Sequence, residues 1–181
     1  MKGTIKRAPD YESDEQQRLE LTQDDKSRAE NVMIVDLMRN DMSRICELNS
    51  ISVPQLFEST RYASLHQLTS TVEGKLDSNI GIVDILKATF PAGSITGAPK
   101  IRSMEIICDL EKDGRGLYTG SAGIFKPGGD FTLNVCIRTI TCQDGEAEIG
   151  IGSGIVADSA QSLEWEECLL KSSFIKYRRK H

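Results

Sequence analysis

Between Asp24 and Met42 the residues Ala29, Val32, Met33, Asp36, Leu37 and Asn40 fall at helical spacing, which predicts a helix whose apolar stripe is interrupted by two polar residues. Glu47–Val53 has the character of a short strand. Ser64–Lys75 predicts a longer one, with Leu68, Ser70 and Val72 on one face and Gly74 ending the run. Asn79–Phe90 predicts a helix that stops before Pro91, and the small residues of Pro91–Gly97 read as a loop. A further helix starts near Ala98, with Pro99 in its first turn, where a missing N–H costs nothing. Ile101, Met104, Glu105 and Cys108 set its spacing, and it ends near Asp113-Gly114. The period then changes. Tyr118–Phe125 and Phe131–Cys142 are predicted strands on either side of a turn at Lys126–Asp130. Gln143-Asp144-Gly145 is a second turn, followed by a strand over Glu146–Gly152. Ser159–Tyr177 predicts a closing helix with Leu163, Glu167, Leu170 and Phe174 on one stripe. Helices and antiparallel strands without βαβ alternation predict an α+β fold, antiparallel sheets with helices packed outside.

The length of 181 residues suits one domain with a real core, and 39% hydrophobic with 27% charged residues is ordinary for a soluble protein. Twenty-two Lys and Arg face 27 Asp and Glu, a net charge of −5 that argues against a nucleic-acid partner. The longest apolar stretches, such as Val32–Val35, are far too short to span a membrane, and the N-terminus carries no signal-peptide run. Five scattered cysteines contain no CxxC pair, which predicts reduced thiols in a cytoplasm rather than disulfides or zinc. The charge is uneven. Asp10–Glu30 holds eight acids against three bases and reads as a solvated loop and helix face, while Lys176–His181 is a basic tail.

Two glycine patterns imitate nucleotide sites without meeting their requirements. Gly150–Gly154 is GxGxG, but a dinucleotide fingerprint needs glycine at position 155, where Ile155 stands, and the segment sits at a strand end late in the chain rather than in a first βα turn. Gly93–Lys100 lacks the Gly-Lys-Ser/Thr of a P-loop. Both segments lead toward predicted helix N-termini, so they serve either as tight turns or as anion-binding backbone. On the closing helix, Glu164 and Glu167 (i, i+3) and Glu167 and Lys171 (i, i+4) share one face. That face is either solvated and salt-bridged or a site for a hard cation such as Mg²⁺, to which Glu30 could add a carboxylate. Arg138, inside an apolar strand pattern, needs an acid or a bound carboxylate as partner. His66 is a structural histidine or an acid and hydrogen-bond donor.

Taken together, Lys2-Gly3-Thr4, Ala29-Glu30-Asn31 through Arg39-Asn40-Asp41, His66-Gln67-Leu68 through Gly74, Pro91–Lys100, Ile137-Arg138-Thr139 and Gly152–Ser159 resemble the chorismate-utilising enzymes, which include component I of anthranilate synthase and of aminodeoxychorismate synthase. The stretches run in family order and cover nearly the whole chain. By this resemblance Glu30 and Glu167, with Glu164 beside them, are the carboxylates that hold Mg²⁺ against the ring carboxylate of chorismate. Arg138 and Tyr118 clamp the enolpyruvyl carboxylate, helped by N–H groups around Gly152, Ser153 and Gly154. His66 lies near the leaving hydroxyl at C4, Gly3, Thr4 and Ser94 touch substrate, and Lys171 stands near the carboxylate and metal region. A dianionic substrate calls for such a set of charges and oriented donors.

Lys2 matches the lysine that the aminating members carry where the anthranilate-forming members have alanine. The resemblance therefore implies amination of chorismate at C4 in the para-aminobenzoate branch of folate biosynthesis, with ammonia from a glutamine amidotransferase subunit or domain. Lys2 would attack C2 as the C4 hydroxyl leaves, and ammonia would then add at C4 and expel the lysine. An anthranilate-forming component I and a non-catalytic chorismate-binding remnant are the alternatives. Met1 stands where the family motif has isoleucine, which implies the C-terminal portion of a longer catalytic domain. Asn31 stands in place of a common histidine and Cys136 in place of a common alanine, changes compatible with binding.

Overall fold

The computed structural model describes residues 1–157 and 159–172. They divide into two compact units, Met1–Ser103 and Met104–His181. The first contains β1 (Thr4–Lys6), α1 (Tyr11–Gln23), α2 (Asp25–Met42), β2 (Ser52–Arg61), β3 (Leu65–Glu73), α3 (Ile82–Thr89) and a short α4 (Gly93–Thr96). Helix α5 (Lys100–Leu110) crosses the boundary. The second unit holds β4 (Ser121–Phe125), β5 (Phe131–Val135), β6 (Ile140–Gln143), β7 (Glu146–Ile149) and α6 (Gln161–Ser172). Among the described residues every strand pair is antiparallel, in keeping with the α+β expectation.

Sheet order in the first unit is β1-β3-β2. The central strand β3 pairs His66 with Ile5 on one side and with Arg61 on the other. Alternation along β3 sends His66, Leu68 and Ser70 to one face. There His66 and Leu68 are fully buried, and Ser70 donates to Asn31 Oδ1 of α2 at 2.6 Å. Strand β2 runs over Ser52–Arg61 rather than Glu47–Val53. Glu47–Ser50 is a turn closed by Ser50 N–H to Glu47 O, with Asn49 in the left-handed region (φ 62°). Pro54 cannot donate to a ladder and is tolerated because β2 is an edge strand with irregular register.

The acidic stretch is more ordered than its composition predicts. Asp10 caps α1 by accepting from Ser13 N–H at 2.9 Å, and Asp24 caps α2 by accepting from Ser27 N–H at 2.7 Å. These bonds hold both carboxyls below the usual aspartate range. Helix α1 turns Asp14 and Leu21 inward. The Asp14 carboxylate accepts from Arg7 (Nη2, 2.9 Å), Arg61 (Nη2, 2.9 Å) and His66 (Nε2, 2.8 Å). One side chain thus ties α1 to the segment after β1, to β2 and to β3. Glu15 extends the network to Arg61 and Arg18.

Helix α2 is present where the periodicity places it, but its buried face is not the one read from the apolar residues. Asn31, Ile34, Val35 and Asp41 are buried, whereas Val32 and Met33 are about two-fifths exposed, at 39% and 41%. Polar partners inside explain the rotation: Asn31 meets Ser70, and Asp41 pairs with Lys100. The loop after Pro91 contains α4, whose Gly93 lies so close to Leu37 of α2 that a Cβ would collide with it.

In the second unit β4 and β5 form a hairpin closed by stacked Phe125 and Phe131, with ring centroids 5.2 Å apart. The predicted long strand Phe131–Cys142 is broken into β5 and β6, since Arg138 takes a left-handed conformation (φ 51°) that ends the ladder. Tyr118 lies in the turn before β4. The closing helix is described over Gln161–Ser172; Phe174, Tyr177 and the basic tail lie outside the described residues. Leu163 and Leu170 of its predicted stripe are exposed.

Two outcomes follow from this arrangement. Ile34→Ala should lower stability by about 2–5 kcal/mol in urea denaturation, while Met33→Ala should stay within about 0.5 kcal/mol of the parent. The reverse order would restore the face read from periodicity. Arg7 and His66 hold the Asp14 carboxyl well below the ordinary aspartate range, so on acidification the unfolded chain takes up this proton first. The stabilisation is complete above about pH 3.9 and drains away as pH falls below it. Asp14→Asn should therefore be less stable at neutral pH and show a flatter stability curve in the acid range.

Candidate functional site

Pairing of β1 with β3 continues past Thr4, because Lys2 N–H donates to Leu68 O at 3.0 Å and Leu68 N–H donates to Gly3 O at 3.1 Å. Gly3 has φ +81°, and a Cβ there would stand 2.9 Å from Ser27 Cβ and Oγ. The strand end therefore rests on the first turn of α2. Glu30 lies one turn beyond Ser27 on the same face. As a result Lys2 Nζ comes within 4.0 Å of Glu30 Oε2, with both side chains partly open to solvent.

His66 is buried beside this strand end, with Nε2 on Asp14 and Nδ1 without a hydrogen-bond partner. Ser94 is exposed on α4 and touches none of these groups. The lysine of the glycine-rich loop, Lys100, forms an ion pair with Asp41 that is largely buried, so its charge is already committed to α2.

The second unit assembles another set. The Tyr118 side chain packs against Gly150 and Gly152: a Cβ at Gly150 would collide with the base of the ring, and one at Gly152 would come 2.6 Å from the phenol oxygen. Lys171 donates to Gly152 O at 3.1 Å and pairs with Glu167 Oε1 at 2.6 Å. Tyr118, Gly152, Glu167 and Lys171 thus meet around one loop. Burial pushes the Tyr118 phenol up, with nearby Arg115 and Lys171 acting in the opposite direction, so the hydroxyl is a donor at neutral pH. The N–H groups of Gly152, Ser153 and Gly154 donate no hydrogen bond among the described residues. They are open to an anion, although α6 begins only at Gln161 and its N-terminal turn does not include them. Glu164 accepts from Ser159 Oγ at 2.6 Å, and Ser159 also accepts from Val156 N–H at 3.0 Å. An open pocket of about 430 Å³ lies here, lined by Ser153, Ile155, Glu164, Trp165 and Cys168.

Arg138 is exposed and has no ion-pair partner among the described residues, so the burial cost read from its apolar neighbours does not arise. Its register is informative. Ser121 pairs with Val135, and two hydrogen bonds, Cys136 N–H to Gly120 O and Thr119 N–H to Cys136 O, carry the pairing one step further. The second bond comes from Thr119 rather than Gly120, so the register slips by one residue there, and with Thr119 and Arg138 both left-handed the ladder ends.

Glu30 belongs to the first unit, and Glu164 and Glu167 to the second. Among the described residues no three His, Cys, Asp or Glu side chains gather as a metal cluster. The donors nevertheless suit a hard divalent cation, being all carboxylate oxygen. Glu167 already accepts one cation in the ammonium of Lys171 and keeps its second oxygen.

Asp14, Arg7 and Arg61 escape any reading of the chain alone. They sit in a run of acids and two ordinary polar stretches, and only the seating of α1 against the sheet brings Asp14 to His66, Arg7 and Arg61.

A family model described as chorismate binding enzyme matches residues 1–177. The chain is 48% identical over 172 residues to the probable aminodeoxychorismate synthase, chloroplastic, of Oryza sativa subsp. japonica, covering 95% of this chain and 19% of that protein. It is 44% identical over 167 residues to aminodeoxychorismate synthase component 1 of Escherichia coli (strain K12), covering 92% of this chain and 37% of the relative. Among solved structures, anthranilate synthase component I from Streptococcus pneumoniae TIGR4 superposes with a TM-score of 0.82 at 40% identity, over 94% of this chain and 39% of that one. The chain thus spans less than half the length of each. Among the described residues no helix is long and apolar enough to cross a membrane. With a match over nearly its whole length and relatives at these identities, the chain belongs to the family of chorismate binding enzymes.

Proposed function

We propose that the chain supplies the lysine, carboxylate and arginine groups for amination of chorismate at C4, giving 4-amino-4-deoxychorismate. The observation that carries this reading is Lys2, held on the sheet by its pairing with Leu68 and set 4.0 Å from Glu30. The identity to aminodeoxychorismate synthases supports it over the anthranilate-forming alternative. Ammonia would come from a glutamine amidotransferase subunit or domain.

Lys2, as the free amine, attacks C2, the ring double bonds shift, and the C4–O bond breaks. His66 is the acid that turns the departing hydroxyl into water. Ammonia adds at C4, the C2–N bond breaks, and Lys2 is released unchanged. Arg138 and the Tyr118 hydroxyl bind the enolpyruvyl carboxylate, with the N–H groups of Gly152, Ser153 and Gly154 as further donors. Gly3, Thr4 and Ser94 line the substrate's approach. Glu30, Glu164 and Glu167 would hold Mg²⁺, which when bound supplies positive charge against the ring carboxylate. Lys171, between Gly152 O and Glu167, keeps that carboxylate oriented.

Lys2→Ala should abolish any covalent adduct with chorismate seen by mass spectrometry and reduce ammonium-dependent amination to background. Amination at the parent rate would remove the lysine from the chemistry, and a strongly fluorescent aromatic product from the parent would favour the anthranilate branch. Glu167→Gln should blunt the Mg²⁺ dependence of chorismate binding in calorimetry while leaving the melting curve in place; an unchanged Mg²⁺ response would take Glu167 out of the site. Arg138→Lys keeps the charge but loses the two-pronged donor, and should weaken chorismate binding on the order of tenfold. Parent-like affinity would make the arginine structural.

A further inference from the structure

We propose that Asp14 is a positioning residue for His66, fixing the proton on Nε2 and leaving Nδ1 as the nitrogen that exchanges a proton with the reacting groups. This deepens the amination reading above and rests on it.

The geometry leaves one arrangement of protons. Asp14 Oδ1 lies 2.8 Å from His66 Nε2, and both residues are almost wholly buried. The other carboxylate oxygen accepts from Arg7 Nη2 and from Arg61 Nη2, each at 2.9 Å, with Arg7 Nε at 3.1 Å. Two guanidinium groups so placed keep Asp14 ionised. An ionised carboxylate only accepts, so the hydrogen of the short contact belongs to Nε2. The ring is therefore either neutral with a bare Nδ1 or doubly protonated with its second proton at Nδ1. In both states Nε2–H stays on Asp14.

Nδ1 is buried and has no hydrogen-bond partner. A histidine kept only to fill space gains nothing from an orphaned ring nitrogen, since buried polar atoms are ordinarily satisfied. Asp14 is not free to take the proton itself, with Arg7 and Arg61 on its second oxygen. It acts as the third member of other carboxylate–imidazole pairs does, by holding orientation and tautomer.

The proton balance closes on Nδ1. The imidazolium gives its Nδ1 proton to the hydroxyl as the C4–O bond breaks, and water leaves. After ammonia has added at C4 and the C2–N bond to Lys2 has broken, the new ammonium group returns a proton to Nδ1. Asp14 stays a carboxylate throughout.

The chain has two histidines, His66 and His181, so a His181→Gln background leaves one imidazole to observe. Long-range ¹H–¹⁵N correlation on the ¹⁵N-labelled protein reads its tautomer directly. The neutral ring should show a protonated Nε2 and a bare Nδ1, and chorismate with Mg²⁺ should move the Nδ1 resonance far more than Nε2. Asp14→Glu should retain this pattern. Asp14→Asn, whose amide can donate to Nε2, should shift the ring toward the Nδ1–H tautomer and lower kcat for amination by on the order of a hundredfold, with KM changed by only a few-fold. A bare Nε2 in the parent, or parent-like kcat in a folded Asp14→Asn protein with an altered tautomer, would overturn the proposal. If the parent forms no 4-amino-4-deoxychorismate, the amination reading fails, while the ring spectrum still decides whether Asp14 sets the tautomer.

Discussion

In the first unit, structure converges on a single buried carboxylate. Asp14 reaches in from α1 and collects Arg7, Arg61 and His66, which stand after β1, at the end of β2 and near the start of β3. Burial of a charge is costly unless it is fully paired, and here three donors divide two oxygens among them. The arrangement therefore constrains four segments at once. With α1 seated, β1 lies along β3, and Gly3 can rest on Ser27. That contact sets where Lys2 meets Glu30. Chemistry proposed for the strand end thus depends on an ion network whose members run from Arg7 to His66 in the chain.

The second unit achieves its order differently. Few of its side chains are buried, and its described hairpins are short. Close approach does the organising: Tyr118 occupies the space that side chains at Gly150 and Gly152 would take, and Lys171 ties the Gly152 carbonyl to Glu167. The loop is held from both sides while its N–H groups remain available. An aromatic hydroxyl, free backbone donors and a lysine–glutamate pair form a setting in which negative charge on a ligand can be met without burying an unpaired cation.

Charge commitments also separate groups that look alike in sequence. Lys100 follows the glycine-rich loop and Lys171 stands in the last turn of α6. Lys100 is spent on Asp41, an ion pair that anchors the start of α5 to the end of α2. Lys171 keeps partial exposure and a partner that a metal ion could share. Arg138 and Arg61 differ in the same sense: Arg61 is fixed on Asp14 and Glu15, and Arg138 has no ion-pair partner among the described residues.

Local pattern determined much of this. The period of α2, the alternation along β3, the hairpin at Lys126–Asp130 and the antiparallel α+β class depend on neighbours a few residues apart, so they were legible. The ordered motifs carried the family likeness for the same reason, since each is a short string. Helix α1 was hidden, because its residues are acidic and polar and its inward face consists of Asp14 and Leu21. The buried side of α2 was misread because Asn31 and Asp41 turn inward to polar partners that lie 39 and 59 positions further along the chain. The break at Arg138 is a backbone conformation that an apolar strand pattern does not encode. Which residues of the candidate site touch, and which nitrogen of His66 is held, were decided only by tertiary structure: hydrogen bonds and ion pairs act over about 3 Å in space, and nothing in sequence spacing records which distant donors will meet a given acceptor.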